Sequence, residues 1–241
     1  MNDTIRLAQP GKPMMIAHRG VSGLEKENTA SAFVAAGQRS YFGIETDVHR
    51  TADGQYIIIH DDTTGRVAGD DMAVEKTTFE TLRALHLLDV DGVRGRRDLI
   101  LPSLSEYISI CKKYDKTAVL ELKNHFEPED IDRIIALIRE QNYLDRTVFI
   151  SFDLPNMIAV RERLPGQQAQ YLVSAVSDDL MDTLLRYRLD LDIRYTALTK
   201  EYADRLHAAG VRINVWTVNT VEDAARMIEY GVDYITSNIL E

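Results

Sequence analysis

The stretch GIETDVHRTADGQYIIIHD, residues 43–61, decides the fold. Its first half alternates. Glu45 and Asp47 fall on one face of an extended chain, while Ile44, Thr46 and Val48 fall on the other. Asp53-Gly54 then interrupts two strand-like runs, a strong hairpin signal. The second half, Gln55–His60, therefore reads as a strand returning against the end of the first. A two-residue turn at Asp53-Gly54 would pair Ala52 with Gln55 and bring His60 opposite Asp47.

Working outward, seven more short β-branched runs recur along the chain: Met14–His18, Thr117–Lys123, Thr147–Phe152, Ala169–Ser174, Leu191–Ala197, Arg212–Val218 and Tyr234–Ser237. With Gly43–His49 they make eight, separated by amphipathic helical patterns. Asn28 or Thr29 can cap a helix that buries Ala30, Phe33, Val34 and Gly37. Ser103 can cap Leu104–Tyr114, and Thr220 can cap Val221–Tyr230. Eight strands alternating with helices predict an α/β chain folded as a single (β/α)8 TIM-type barrel, residues 1–241. An open doubly wound sheet competes, but no GxGxxG follows the first run. The barrel carries a β-hairpin and a small insertion, residues 61–101, after its second strand. That insertion is expected over the active-site mouth, with one short helix near Thr78–His86. Only four residues follow the last run, too few for an eighth outer helix.

Bulk properties narrow the function. The chain has 241 residues, 45% of them hydrophobic, enough to bury a core without staples. Cys111 is the only cysteine, which excludes an intrachain disulfide and a thiolate metal cluster. A net charge of −10 argues against a nucleic-acid partner. Met1–Lys12 lacks a signal pattern, and no apolar run is long enough for a membrane span. The expected location is cytoplasmic and the expected partner a small molecule.

The chemistry gathers at the C-terminal ends of strands, where such barrels place active sites. Glu45 and Asp47 share a face, as do Glu121 and Lys123 on the next barrel strand. Three carboxylates pointing into one mouth form a hard-ligand site suited to one divalent cation, Mg2+ or Ca2+. A buried ion-pair network with Arg19 and Lys123 is the competing reading. His18 and His60 each end a strand beside these acids, so they are candidate catalytic acid and base. Arg19 and Lys123 are candidate phosphate contacts. Trp216, sharing an inward face with Asn214 and Val218, can wall a pocket or fill core. His49, His86, His125 and His207 are left to surface or packing.

In order, His18-Arg19-Gly20, Glu27-Asn28-Thr29, Glu45-x-Asp47, Asp53-Gly54, His60-Asp61, Leu101-Pro102-Ser103, Glu121-x-Lys123, Ser151-Phe152, Trp216-Thr217-Val218-Asn219 and Gly231-Val232-Asp233 span nearly the whole chain. This set resembles the glycerophosphodiester phosphodiesterase family. The resemblance implies metal-dependent hydrolysis of glycerophosphodiesters to sn-glycerol 3-phosphate and an alcohol. Glu45, Asp47 and Glu121 would hold the metal. His18 and His60 would be catalytic, and Arg19, Lys123, Trp216 and Phe152 would bind substrate. A lysophospholipase D or phospholipase-C-like activity on the same site is an alternative, though residues 61–101 are too charged for an interfacial groove. A catalytically inactive phosphodiester-binding barrel is another. Lys26, Thr46 and Thr236-Ser237-Asn238 depart from the family pattern, and these departures are expected on the outer layer and the barrel closure, not on the metal ligands or histidines.

Overall fold

The computed structural model describes residues 3–7 and 13–241; most of the Met1–Lys12 start lies outside them. The chain runs β1 Met14–Ala17, α1 Ala30–Gly37, β2 Gly43–Arg50, β3 Tyr56–Ile58, α2 Gly65–Ala68, α3 Phe79–Arg83, α4 Leu104–Lys113, β4 Thr117–Leu122 and α5 Pro128–Glu140. It continues β5 Thr147–Ser151, α6 Leu154–Arg163, β6 Ala169–Val173, α7 Leu180–Tyr187, β7 Asp190–Arg194, α8 Lys200–Ala208, β8 Ile213–Trp216, α9 Val221–Glu229 and β9 Tyr234–Ser237. Eight strands pair in parallel, and β1 pairs with both β2 and β9, so the sheet closes on itself. The fold is the expected barrel, with β3 as an extra strand outside it. The open-sheet alternative is excluded by the β1–β9 ladder, Met14↔Tyr234 to Ala17↔Ser237.

Strand alternation sorts the core into layers. Ile44 and Val48, Leu120 and Leu122, Leu191 and Ile193, and Ile213 and Val215 face the helices. Val119, Val148, Ile150, Leu172 and Tyr234 fill the barrel interior. Val218 joins the helix-facing layer, not the inward face expected beside Trp216. The turn of chain after β8 ends the alternation before that residue. Helix α1 buries Ala32, Phe33, Ala36 and Gly37, whereas Ala30 is exposed and Val34 half-buried. The expected stripe was therefore displaced around the helix. Thr29, not Asn28, caps it, accepting from the Ala32 amide. At α4 Ser103 and Glu106 complete a reciprocal capping box.

The hairpin differs from the expected register by one residue. The Thr51 amide donates to the Gln55 carbonyl at 2.9 Å, so three residues, Ala52-Asp53-Gly54, form the loop. Gly54, at φ +75°, supplies the left-handed position that ends such a loop. The observed pairs are Val48↔Ile58, His49↔Ile57 and Arg50↔Tyr56. Ile59, whose amide donates to the Asp47 carbonyl at 3.1 Å, thus faces Asp47 where His60 was expected. Ile57 and Ile59 seed a second core with Val67, Val74, Leu82, Leu87, Leu99 and Leu101 from residues 61–101. Thr78 caps α3 there, close to the expected helix. After β9 the chain runs beside residues 5–7, with a parallel Ile5↔Leu240 bridge. Among the described residues no helix is long and apolar enough to cross a membrane.

Candidate active site

A cavity opens at the C-terminal ends of the strands. His18, Arg19, Glu45, His60 and Glu121 line it together with Phe152, Asp192, Trp216 and Thr236.

The β1–α1 turn holds the chain against this cavity by close backbone approach. Gly20 sits at φ +76°, and a Cβ there would lie 2.7 Å from the Ala32 Cβ and carbonyl carbon. Arg19, at φ +54°, donates its backbone amide to Glu45 Oε2 at 2.8 Å. Its guanidinium meets Glu27 Oε1 at 2.9 Å and Asp47 Oδ2 at 3.6 Å. From β4, Lys123 Nζ lies 2.8 Å from Glu121 Oε1 and 3.6 Å from Asp47 Oδ1.

Glu45, Asp47 and Glu121 are all buried, and one carboxylate oxygen from each lies within 4.8 Å of the others. Divalent ions take such oxygens at about 2.0–2.6 Å, so one ion can bridge all three. Asp47 Oδ1 is buried and accepts no hydrogen bond. An orphaned acceptor inside an all-oxygen cluster fits a hard cation better than a self-sufficient ion-pair network. Electrostatics agree. Burial, then the Asp47 charge, pushes Glu121 up to about 8 against the pull of Lys123. Burial, Asp47 and Glu121 push Glu45 well above the carboxylate range. Burial also opposes ionisation of Asp47, but Arg19 and Lys123 outweigh it and hold that carboxyl low. The two cations thus leave the triad short of positive charge.

The two histidines have unlike supports. His18 Nδ1 lies 2.6 Å from Asn238 Oδ1, which also accepts from Ser22 Oγ at 3.0 Å. Burial, then Arg19, lowers His18 to about 4. His60 Nδ1 lies 2.6 Å from the Asp61 carboxylate, and burial lowers its pKa while Asp47 and Asp61 pull it back. Asp61 is itself held by Arg66, which also grips Glu27 at 2.7 and 2.9 Å. Residues 61–101 are thereby tied to the β1–α1 turn.

Several site residues escaped the sequence reading. Asn28, at φ +54°, donates to Asp47 Oδ2 at 2.8 Å and accepts from Thr46 Oγ1 at 2.7 Å. Thr46 and Asn238, expected on the outer layer and the barrel closure, therefore support a triad member and a histidine. His49 is fully buried, with Nε2 3.4 Å from the His60 carbonyl. Asp192 is buried at the cavity wall, and burial, then Glu121, holds its carboxyl well above the usual range. Only its place two residues from Arg194 on an inward face of β7 signals it in the sequence. Trp216 and Phe152 meet edge to face, centroids 5.6 Å apart.

This geometry has a match among known proteins. The model of the glycerophosphoryl diester phosphodiesterase family covers residues 18–240. The chain belongs to that family. Membership makes it an enzyme, a phosphodiester hydrolase. A glycerophosphodiester phosphodiesterase of Caldanaerobacter subterraneus is 30% identical over 230 residues, 94% of each chain. A phosphodiesterase of Oleispira antarctica, solved with the product sn-glycerol-3-phosphate, superposes with a TM-score of 0.86 at 27% identity, covering 94% of this family member and 93% of that chain. The Thermotoga maritima glycerophosphodiester phosphodiesterase gives 0.76 at 25% identity, covering 95% and 96%.

Proposed function

We propose that the chain hydrolyses glycerophosphodiesters to sn-glycerol 3-phosphate and a free alcohol, with Glu45, Asp47 and Glu121 holding one divalent cation, Mg2+ or Ca2+. The observation that carries this reading is the convergence of three buried carboxylates, one with an orphaned oxygen, beside two imidazoles in a single cavity. A bound cation there would supply Lewis-acid polarisation of the phosphoryl oxygens.

The chain's own groups account for the proton movements. Each histidine engages its neighbour through Nδ1, which leaves Nε2 for the substrate. His18, backed by an amide oxygen and held neutral, is the base. It takes the proton from the attacking hydroxyl, the glycerol 2-hydroxyl or water, as that oxygen bonds to phosphorus. His60, backed by the Asp61 carboxylate, is better able to carry a proton, and donates it to the departing alcohol as the P–O bond breaks. If the 2-hydroxyl attacks, water opens the resulting cyclic phosphate with the roles reversed. Arg19 and Lys123 offset charge on the nonbridging oxygens. Trp216 and Phe152 form an aromatic wall of the same cavity, and residues 61–101 close over the mouth through Arg66.

The test is release of glycerol 3-phosphate from glycerophosphocholine, glycerophosphoethanolamine and glycerophosphoglycerol, with and without chelator. Activity should vanish on chelation and return with Mg2+ or Ca2+. Activity indifferent to chelator would reject the metal role, and release from none of the three would reject the substrate class.

A further inference from the structure

The inward face of β7 carries Asp190, Asp192 and Arg194, and only the last reaches the outer rim of the mouth. Arg194 stands in register with Trp216 of β8. Its guanidinium carbon lies 5.4 Å from the centre of the indole, the same ring that Phe152 meets edge-on. Trp216 lines the cavity with His18 and Arg19, so Arg194 sits at the rim of that cavity, just beyond the two histidines and the carboxylates.

Three features set this arginine apart. Arg19, Arg66 and Lys123, the other cations described at the mouth, are each paired with a carboxylate of Glu27, Asp47, Asp61 or Glu121. Arg194 is exposed, and among the described residues no carboxylate lies within 4.0 Å of it and no hydrogen bond engages its guanidinium. The acid nearest in sequence to the aromatic wall, Asp153, is occupied as the cap of α6 and by His125. Its place over the indole ring also restricts the planar fork, so less freedom is lost when it binds an anion. Finally, an aromatic ring beside a phosphodiester site would attract a quaternary ammonium, yet this indole already has a cation against it.

We propose that Arg194 selects the leaving alcohol by charge, disfavouring cationic head groups and favouring those that carry a phosphate or carboxylate of their own. This deepens the phosphodiesterase reading and rests on it. The guanidinium binds such an anion through paired N–H donors, as it does carboxylates and phosphates generally.

The experiment compares kcat/KM for four substrates by glycerol 3-phosphate release: glycerophosphoinositol 4-phosphate, N-acetylated glycerophosphoserine, glycerophosphoinositol and glycerophosphocholine. The inositol pair differs only in the added phosphate, and the N-acetylated serine ester presents a carboxylate without an ammonium. At least one anionic substrate should exceed glycerophosphocholine by on the order of tenfold at low ionic strength, with the ratio shrinking as salt screens an exposed charge. Whichever anionic substrate leads identifies the anion. Arg194→Gln should bring the ratio to within about twofold, and Arg194→Lys should keep a charge preference. A parent that favours glycerophosphocholine, or a ratio unchanged in Arg194→Gln, overturns the proposal. Release from none of the four overturns the phosphodiesterase reading, and this proposal with it.

Discussion

Glu121→Gln separates a cation site from a structural ion-pair network, because the two predict opposite changes. In the parent, burial and the Asp47 charge already push Glu121 up to about 8. Without metal the carboxyl therefore already holds a proton near neutral pH, and the neutral glutamine amide takes its place at little cost. Lys123 is not stranded, since Asp47 Oδ1 remains 3.6 Å from its Nζ. Without metal, the variant should stay within about 1 kcal/mol of the parent, the size of one hydrogen bond. Were the acids present only to neutralise Lys123 and Arg19, breaking a buried pair would cost about 3–5 kcal/mol. For a chain of this length that is a drop of about 6–20 °C in Tm. Added cation reverses the comparison. At a hundredfold excess over Kd, binding to the native state adds about 2.7 kcal/mol. The parent should then gain about 5–11 °C, while the variant, with one ligand lost, should gain almost nothing and turn over no substrate. Thermal melts of both proteins in EDTA, Mg2+ and Ca2+ read all four quantities. A parent indifferent to cations, together with a variant that melts many degrees lower in EDTA, would refute the reasoning.

Other substitutions probe the supports. Asn238→Asp places a carboxylate behind His18 Nδ1, 2.6 Å from the present oxygen position, so the histidine pKa should rise from about 4. A base must be neutral, so the acid limb of the kcat/KM profile should move to higher pH; an unmoved limb would remove His18 from that role. Stability follows the same group. A depressed His18 contributes stability that is complete above the unfolded value of about 6.5 and is lost as pH falls toward 4. Urea midpoints should therefore fall more steeply between those values in the parent than in His18→Gln. Asn28→Ala strips a donor from buried Asp47 and puts alanine at φ +54°; the combined cost is about 2–4 kcal/mol, seen as a lower Tm even in EDTA. Ser237→Asp should lower Tm as well. Ser237 is fully buried, and its hydroxyl accepts from the Ile239 and Leu240 amides and faces Asn219 Oδ1, which a carboxylate would repel; an unaltered melt would contradict this.

What the sequence by itself determined was whatever depends on local period. Eight β-branched runs with helices between them specified a parallel α/β chain, and their bounds differ from the observed strands by at most three residues at either end. Alternation alone put Glu45, Asp47 and Glu121 on inward faces, because neighbouring side chains of a strand cannot share a side. His18 and His60 were legible because each closes a strand at the end where barrels work. Tertiary structure decided what depends on pairs distant along the chain or on a single turn. Gly54 in a left-handed conformation made the hairpin loop three residues long, shifting its register by one and setting Ile59 opposite Asp47. His60 still reaches the cavity because it lies past the last paired residue, free of the strand's alternation. Asn238 meets His18 across 220 residues of sequence, a contact made only when β9 closes the barrel beside β1. Asn28 reads as a helix cap by its neighbours, yet the left-handed turn aims it at Asp47. Arg194 is one arginine among many until the parallel register of β7 and β8 sets it over the Trp216 ring. Periodicity decides which way a side chain points; only the closed barrel decides what it meets there.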